Sequence, residues 1–151
     1  MIDRVKVIRV DTQRLLREDY RENKAKLDIL PERIATEKAR LLTVRTSSTE
    51  TIAGSGRGER LDRETALILT IDRLQAELKT AQSEIKTIDK ILGTLDDEER
   101  HIVQVFDLED QPDGLGRLED KLYKTKSAIY EIYNRALFKI ARLYWGSRAK
   151  V

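Results

Sequence analysis

A heptad repeat of apolar residues limits this 151-residue chain to a small set of folds. Its members recur at alternating spacings of four and three: Leu67, Ile71, Leu74, Leu78, Ala81, Ile85, Ile88, Leu92 and Leu95. This spacing predicts one long helix with a narrow apolar seam of the coiled-coil kind. A second helix must cover the seam, either residues 11–44 of the same chain folded back as a hairpin or another subunit. We expect a homodimer to which an internal hairpin contributes, with Leu67 to Leu92 as the oligomerisation seam.

The composition favours long, solvated helices over sheets. Hydrophobic residues make up 40% of the chain and charged residues 37%, while aromatic residues account for 5% and two prolines occur. Few aromatic residues and few turn formers argue against a sandwich or a barrel. The sequence therefore predicts an all-α fold in which a helical hairpin or coiled coil precedes a smaller C-terminal helical domain.

The residue types in the chain argue against several functional classes. The chain has no cysteine, which excludes disulfides and thiolate chemistry and fits a reducing compartment. His101 has no second histidine with which to share a metal, and the glycines at 54–58 lack the Lys-Ser/Thr ending of a phosphate loop. We therefore expect no enzyme, no cofactor and no metal. Because no signal peptide or apolar run of membrane-spanning length occurs, we expect a cytoplasmic protein without membrane contact.

The N-terminal region, residues 1–95, divides into helices and a connecting segment. Residues 1–10 are ambiguous between a strand and a first helical turn, and Pro31 predicts a kink or a break near residues 28–31. Residues 46–60 combine serines, threonines and glycines without helical periodicity, which indicates a flexible loop. After the long helix, Asp96 and Glu99 form a capping pair for the next helix.

Residues 96–151 have the order of a helix-turn-helix domain. A short helix at 99–109 precedes the turn QPDG, in which Gly114 is expected to take an unusual backbone conformation. A second short helix at 115–123 and a tight turn lead to a longer helix at 124–143. Charge also divides this domain, since residues 96–115 carry a net charge of −7 and residues 116–151 one of +6. A local basic patch is the footprint expected of phosphate binding.

Two stretches, LDDEERHIVQVFDLE and LEDKLYKTKSAIYEIYNRALFKIARL, resemble the region-four helix-turn-helix of sigma factors. The whole order of segments is similar to that of phage late transcription regulators of the RinA/ArpU type. The resemblance implies an activator of phage or prophage genes in a bacterial cytoplasm, which binds double-stranded DNA near a promoter and contacts RNA polymerase. It also places Glu119 where relatives carry a small residue facing the recognition helix. Because a buried unpaired carboxylate is costly, we expect the helix at 115–123 to be rotated or shifted.

The long C-terminal helix and the short helix before it supply the candidate DNA contacts. The apolar stripe of the long helix faces a core, with Tyr133 in that core or at its rim, and the opposite side carries polar groups. Phosphate contacts are expected from Arg117, Lys121, Lys124 and Lys126. Base-edge or further phosphate contacts are expected from Ser127, Tyr130, Glu131, Asn134 and Arg135.

Two other functions remain open at this point. A DNA-packaging recognition subunit also joins a helix-turn-helix to a coiled coil, although such subunits form rings and more naturally place the DNA-binding module first. A structural coiled-coil adaptor whose C-terminal helices bind protein is the third possibility, and it predicts no salt-dependent affinity for DNA.

Overall fold

The computed structural model describes residues 4–47, 57–109 and 111–146. These residues form helices and short turns, and they contain no strand, so the all-α prediction is confirmed. The helices are α1 (Arg4–Arg14), α2 (Tyr20–Ser47), α3 (Arg57–Gly93), α4 (Asp97–Val103), α5 (Gly114–Leu122) and α6 (Lys126–Trp145). A π-helical turn at Leu15–Asp19 links α1 to α2, and a second one at Gln104–Leu108 extends α4. None of the described helices combines the length and the apolarity needed to cross a membrane.

The described residues separate into two compact units. The hairpin unit contains residues 24–47 and 57–83, and the composite unit contains residues 4–23 together with residues 84–146. The sequence instead predicts a division between residues 95 and 96. Long-range packing accounts for the different division, because the first helical segment joins the C-terminal helices rather than the hairpin.

The hairpin unit is an antiparallel pair formed by α2 and α3. Its core contains Leu30 and Ile34 of α2 against Leu74 of α3, with Leu78 packed at the edge. Ion pairs lie on both sides of this core. Lys26 is 3.4 Å from Glu77, and Arg45 is 2.6 Å from Glu64. Early residues of α2 therefore meet late residues of α3, as in a hairpin.

Pro31 does not interrupt α2, so of the two predicted alternatives near residues 28–31, a kink or a break, the break is absent. The helix continues from Tyr20 to Ser47. Proline costs a helix one backbone hydrogen bond and crowds the preceding turn. Here Leu30 and Ile34 are buried on either side of Pro31. Burial of these two side chains against α3 offsets the local cost, since tertiary packing supplies most of the stability of a helix in a protein.

The heptad seam is largely covered within one chain. In the hairpin unit Ile71, Leu74 and Ala81 are buried, whereas Leu67 and Leu78 are half-buried. In the composite unit the seam residues Ile85, Ile88, Leu92 and Leu95 are buried. Intramolecular cover of these side chains leaves most of the seam inaccessible to a second subunit.

Helix α6 is the central element of the composite unit, and it packs against α1, α4 and α5. Its buried side chains are Ile129, Ile132, Tyr133, Ala136, Leu137, Ile140 and Ala141. Burial of Tyr133 agrees with the expectation that it lies in the core or at its rim. On α5 the fully buried side chain is Leu118, and Glu119 is only half-buried. In this orientation of α5 the Glu119 side chain keeps contact with solvent, so the energetic cost of burying its carboxylate fully does not arise.

Local capping sets the ends of the helices around α6. Asp96 and Glu99 form the predicted capping box, in which each side chain accepts a hydrogen bond from the backbone N–H of the other. The hydrogen bond from the Glu99 N–H is the largest cause that lowers the pKa of the Asp96 carboxyl from its usual value of 3.8. At the start of α6, Thr125 accepts a hydrogen bond from the Ala128 N–H. Tyr123 adopts the left-handed conformation with φ of 54°, which ends α5.

The reason for a glycine at position 114 differs from the prediction. No described glycine has a positive φ, so the expected unusual backbone conformation is wrong. Instead, a Cβ atom at Gly114 would lie 2.8 Å from Cγ1 of Val105, closer than van der Waals contact allows. Gly114 is therefore required by the close approach of α5 to the π-helical turn at Gln104–Leu108.

Alanine at position 114 is expected to lower the free energy of unfolding by about 1–3 kcal/mol, because Val105 must move to accommodate the new methyl group. Gly116 of the same helix offers a matched control, since a Cβ atom there meets nothing within 4 Å. Gly116→Ala should instead raise stability by up to about 1 kcal/mol through helix propensity. Urea unfolding of both variants measures the difference. Equal effects at the two positions would contradict the close approach.

The remaining N-terminal predictions have mixed outcomes. Residues 4–10 are helical, which resolves the ambiguity of the first segment. Of the predicted loop at 46–60, residues 46–47 end α2 and residues 57–60 begin α3. The helices therefore extend further into this segment than its composition suggests. The rest of the predicted loop, residues 48–56, lies outside the described residues.

Candidate nucleic-acid interface

The first two turns of α6 present polar side chains to solvent. Lys126, Ser127 and Glu131 are exposed, and Arg135 continues the exposed ridge one turn later. Ser127, Glu131 and Arg135 are four residues apart, so they lie on one side of the helix. The buried stripe that begins with Ile129 anchors the other side. The structure therefore leaves this ridge accessible while the helix remains fixed in the core.

Tyr130 lies at the edge of this ridge and leans on a neighbouring aromatic ring. Its side chain is exposed to 46%, and its ring stacks on Phe106 with centroids 5.9 Å apart. Phe106 also contacts Tyr133 edge-on, with centroids 5.0 Å apart. Aromatic packing therefore fixes one side of Tyr130, and the rest of the ring remains available to a ligand.

Asn134 is less accessible than its neighbours on the ridge. It is half-buried and lines a crevice of about 220 Å³ between α6 and α1. Val5 and Ile8 of α1 form the apolar side of this crevice, and Phe138 of α6 forms part of the opposite wall. Phe138 therefore lies across the crevice from α1. A base contact by Asn134 would have to be made beside α1.

Acidic residues at the start of α4 pair with several cations of the C-terminal segment. Lys124 lies 3.2 Å from a carboxylate oxygen of Glu98. Glu99 has a fully buried side chain, and its two oxygens lie 2.8 Å from Lys139 and 3.8 Å from Arg135. The sequence separates acidic and basic blocks, but the fold places them together. Part of the positive charge on α6 is therefore neutralised within the chain.

The two predicted phosphate contacts on α5 remain exposed. Arg117 donates a hydrogen bond of 2.9 Å to the side-chain oxygen of Gln111, and Lys121 has no ion pair among the described residues. Lys126 is likewise without an ion pair in the described part of the chain. Lys121 and Lys126 are therefore the predicted cations least engaged in contacts within the protein.

A buried polar network that the sequence pattern does not predict lies behind this surface. Asp107 is fully buried, and one of its carboxylate oxygens accepts a hydrogen bond of 2.7 Å from Nε of Arg17. The Tyr133 hydroxyl donates to the same carboxylate and lies 2.9 Å from both of its oxygens. Gln13 completes the network by donating to the Tyr133 oxygen at 2.9 Å.

This network joins the two π-helical turns to the buried face of α6. Arg17 and Asp107 each lie within a π-helical turn, where the extra residue changes the direction of the side chains that follow. Burial raises the pKa of Tyr133, and the negative charge of Asp107 raises it further. The tyrosine therefore remains a hydrogen-bond donor. A tyrosine on the apolar stripe of α6 was the one sequence signal for a polar group in this core.

No cluster of three or more histidine, cysteine, aspartate or glutamate side chains within the described ranges could hold a metal ion. Comparison with known proteins finds no matching family model, no matching curated protein and no matching solved structure. The candidate interface therefore rests on the residues and their geometry.

Proposed function

We propose that this chain is a sequence-specific transcription regulator that inserts the N-terminal half of α6 into the major groove of double-stranded DNA. The observation that carries the proposal is the exposed ridge of Lys126, Ser127 and Glu131 on a helix whose other side is anchored in the core. An α-helix fits the width of the major groove, and its first turns are the part that reaches base edges in helix-turn-helix proteins.

The side chains on the ridge suit complementary tasks in DNA recognition. Ser127 can donate to or accept from a base edge, and Glu131 can accept a hydrogen bond from the amino group of cytosine. Lys126, with Lys121 on α5, supplies positive charge for the phosphates on either side of the groove. Lys124 and Arg135 contribute less than isolated cations would, because Glu98 and Glu99 already neutralise them in part.

The regulatory role follows from the resemblance to phage late transcription regulators. On that basis we place the protein in a bacterial host cell as an activator of phage or prophage genes. It would bind DNA near a promoter and contact RNA polymerase there. The order of segments supports this assignment, since a charged helical region precedes a helix-turn-helix in both.

Binding-site selection from a random pool of DNA duplexes tests the proposal directly. We expect the wild-type chain to enrich one sequence and to bind it with an affinity that falls steeply as salt is raised. Replacing Lys126, Ser127 and Glu131 together by alanine should weaken binding to that duplex at least about tenfold, since base contacts contribute about 1–3 kcal/mol each. The salt slope should also fall by about 0.9 through the loss of Lys126.

A control variant with the same change in charge distinguishes the loss of DNA contacts on α6 from the effect of replacing exposed residues elsewhere. Asp62, Gln82 and Lys86 are exposed on α3, and their joint replacement by alanine also removes one acid and one cation. This control should bind the selected duplex as the wild type does. Tight binding by the α6 variant, with its helical content retained, would exclude α6 as the recognition helix. A wild-type chain without salt-dependent DNA affinity would exclude DNA binding and favour a protein adaptor.

A further inference from the structure

An open apolar groove runs along one flank of the hairpin unit. It has a volume of about 510 Å³ and is lined by Leu41 and Leu42 of α2 and by Ile68 and Ile71 of α3. Leu61 lies seven residues before Ile68, so it extends the same flank of α3. Leu42 is exposed to 63% and Leu61 to 48%. Ile71 belongs to both the groove and the heptad seam, whereas Leu41, Leu42 and Ile68 lie outside the seam.

A two-helix hairpin of this composition leaves much of its apolar surface uncovered. Leu30, Ile34, Ile71 and Leu74 are buried in the hairpin unit, but Ile29, Leu42, Leu61, Ile68 and Leu69 are exposed. Contiguous exposed apolar surface on a protein usually marks a site of association. Two packed helices can bury one stripe of each helix, and the stripe along the groove needs further helices to cover it.

The charges at the groove indicate what covers it. Three charged residues line the groove, and one of them, Arg45, pairs with Glu64 of the same chain. The other two, Lys38 of α2 and Asp72 of α3, lie at one level of the hairpin on opposite sides of the groove. A second hairpin related by a two-fold axis parallel to the helices would bring its α3 opposite the first α2. Lys38 of each copy would then face Asp72 of the partner subunit. The surface is therefore complementary to itself in charge, as an isologous interface requires.

We propose that the chain dimerises through this groove, with the two hairpins forming a four-helix bundle. The apolar side chains of Leu41, Leu42, Leu61 and Ile68 form the interface, and the charges of Lys38 and Asp72 fix its orientation. The proposal concerns a different surface from the DNA interface and does not depend on DNA binding.

Sedimentation equilibrium in the absence of DNA tests the interface. The wild-type chain should have twice its monomer mass of 17.5 kDa. Leu42→Asp should raise the dissociation constant of the dimer at least about a hundredfold, because it places two charges in an apolar contact. Ile29→Asp is the matched control. Ile29 is exposed to 60%, similar to Leu42, but it does not line the groove. This variant should remain dimeric.

A charge exchange tests the orientation even if Leu42→Asp fails to fold. Lys38→Asp and Asp72→Lys should each weaken self-association by placing like charges opposite each other. Mixing the two variants should restore dimers, all of them containing one copy of each. The proposal would be overturned by a wild-type chain that is monomeric at about 0.1 mM or that forms a closed ring of more subunits. It would also be overturned if Ile29→Asp and Leu42→Asp weakened self-association equally. Failure of the mixed pair to associate would do the same.

Discussion

Replacing Arg17 by methionine is expected to lower the free energy of unfolding by about 3 kcal/mol. The fully buried carboxylate of Asp107 receives the Arg17 guanidinium at 2.7 Å, and the side chain of Arg17 itself remains 45% exposed. Methionine keeps most of the aliphatic stem but removes the charge. Asp107 would then lose the guanidinium that faces it at 2.7 Å, while the Tyr133 hydroxyl would still donate to it. Removing the cation beside a fully buried carboxylate is costly. Urea or thermal unfolding followed by circular dichroism measures the loss.

The same substitution three residues earlier provides the control. Arg14 lies 3.9 Å from Glu18, and both side chains are largely exposed, so their ion pair is strongly screened by water. Arg14→Met should change the free energy of unfolding by less than about 0.5 kcal/mol. In an Asp107→Asn background the cost of Arg17→Met should also shrink, because the buried negative charge that Arg17 faces is absent. Equal costs for Arg17→Met in the two backgrounds would contradict a direct interaction with Asp107.

The Arg17–Asp107 pair also illustrates what the sequence conceals. Asp107 counts toward an acidic block, and nothing in its neighbours distinguishes it from the solvated acids around it. Two of its partners lie far away in sequence, Arg17 at 90 residues earlier and Tyr133 at 26 residues later. Two π-helical turns bring them together, and the simple period of an α-helix does not predict such turns. Buried polar networks of this kind depend on tertiary packing, which local patterns do not encode.

Features that depend on local periodicity and capping were predictable. The spacing of apolar residues along 67–95 correctly predicts a long helix, and Asp96 and Glu99 form the expected capping box. Their physical basis lies within a few residues of chain. At Pro31 a break was one of two predicted alternatives, and it is absent because burial of Leu30 and Ile34 against α3 overrides the local preference.

The candidate interface likewise has some features that local periodicity predicts and others that depend on tertiary packing. Helical phase alone places Ser127 and Glu131 opposite the buried stripe, and the structure leaves both exposed. The approach of α1 to Asn134 and the pairing of Arg135 with Glu99 involve segments far apart in sequence. Counting charge in blocks overestimates the free positive charge of α6, because the fold brings the acidic block beside it.

Replacing Glu99 by alanine is the second change with a large expected effect, a loss of about 3 kcal/mol in the free energy of unfolding. The Glu99 side chain is fully buried, and it accepts hydrogen bonds from the backbone N–H of Asp96 and from Lys139. Alanine removes half of the capping box, which contributes about 1 kcal/mol, and leaves a cavity beside α6. Glu98→Ala is the neighbouring control. Glu98 is 42% exposed and pairs with Lys124, so its loss should cost less than about 1 kcal/mol.

Glutamine at position 99 separates the structural role of this carboxylate from its effect on DNA binding. Glu99→Gln keeps the shape of the side chain and an oxygen for the Asp96 N–H, so it should retain the fold more fully than alanine does. It also removes the charge that holds Lys139 and Arg135, which are 46% and 59% exposed and can be hydrated. If α6 binds DNA, these cations become available to phosphates, and affinity for duplex DNA should rise several-fold with a steeper salt dependence. Unchanged affinity and salt slope in a folded Glu99→Gln variant would place Arg135 and Lys139 outside the DNA interface.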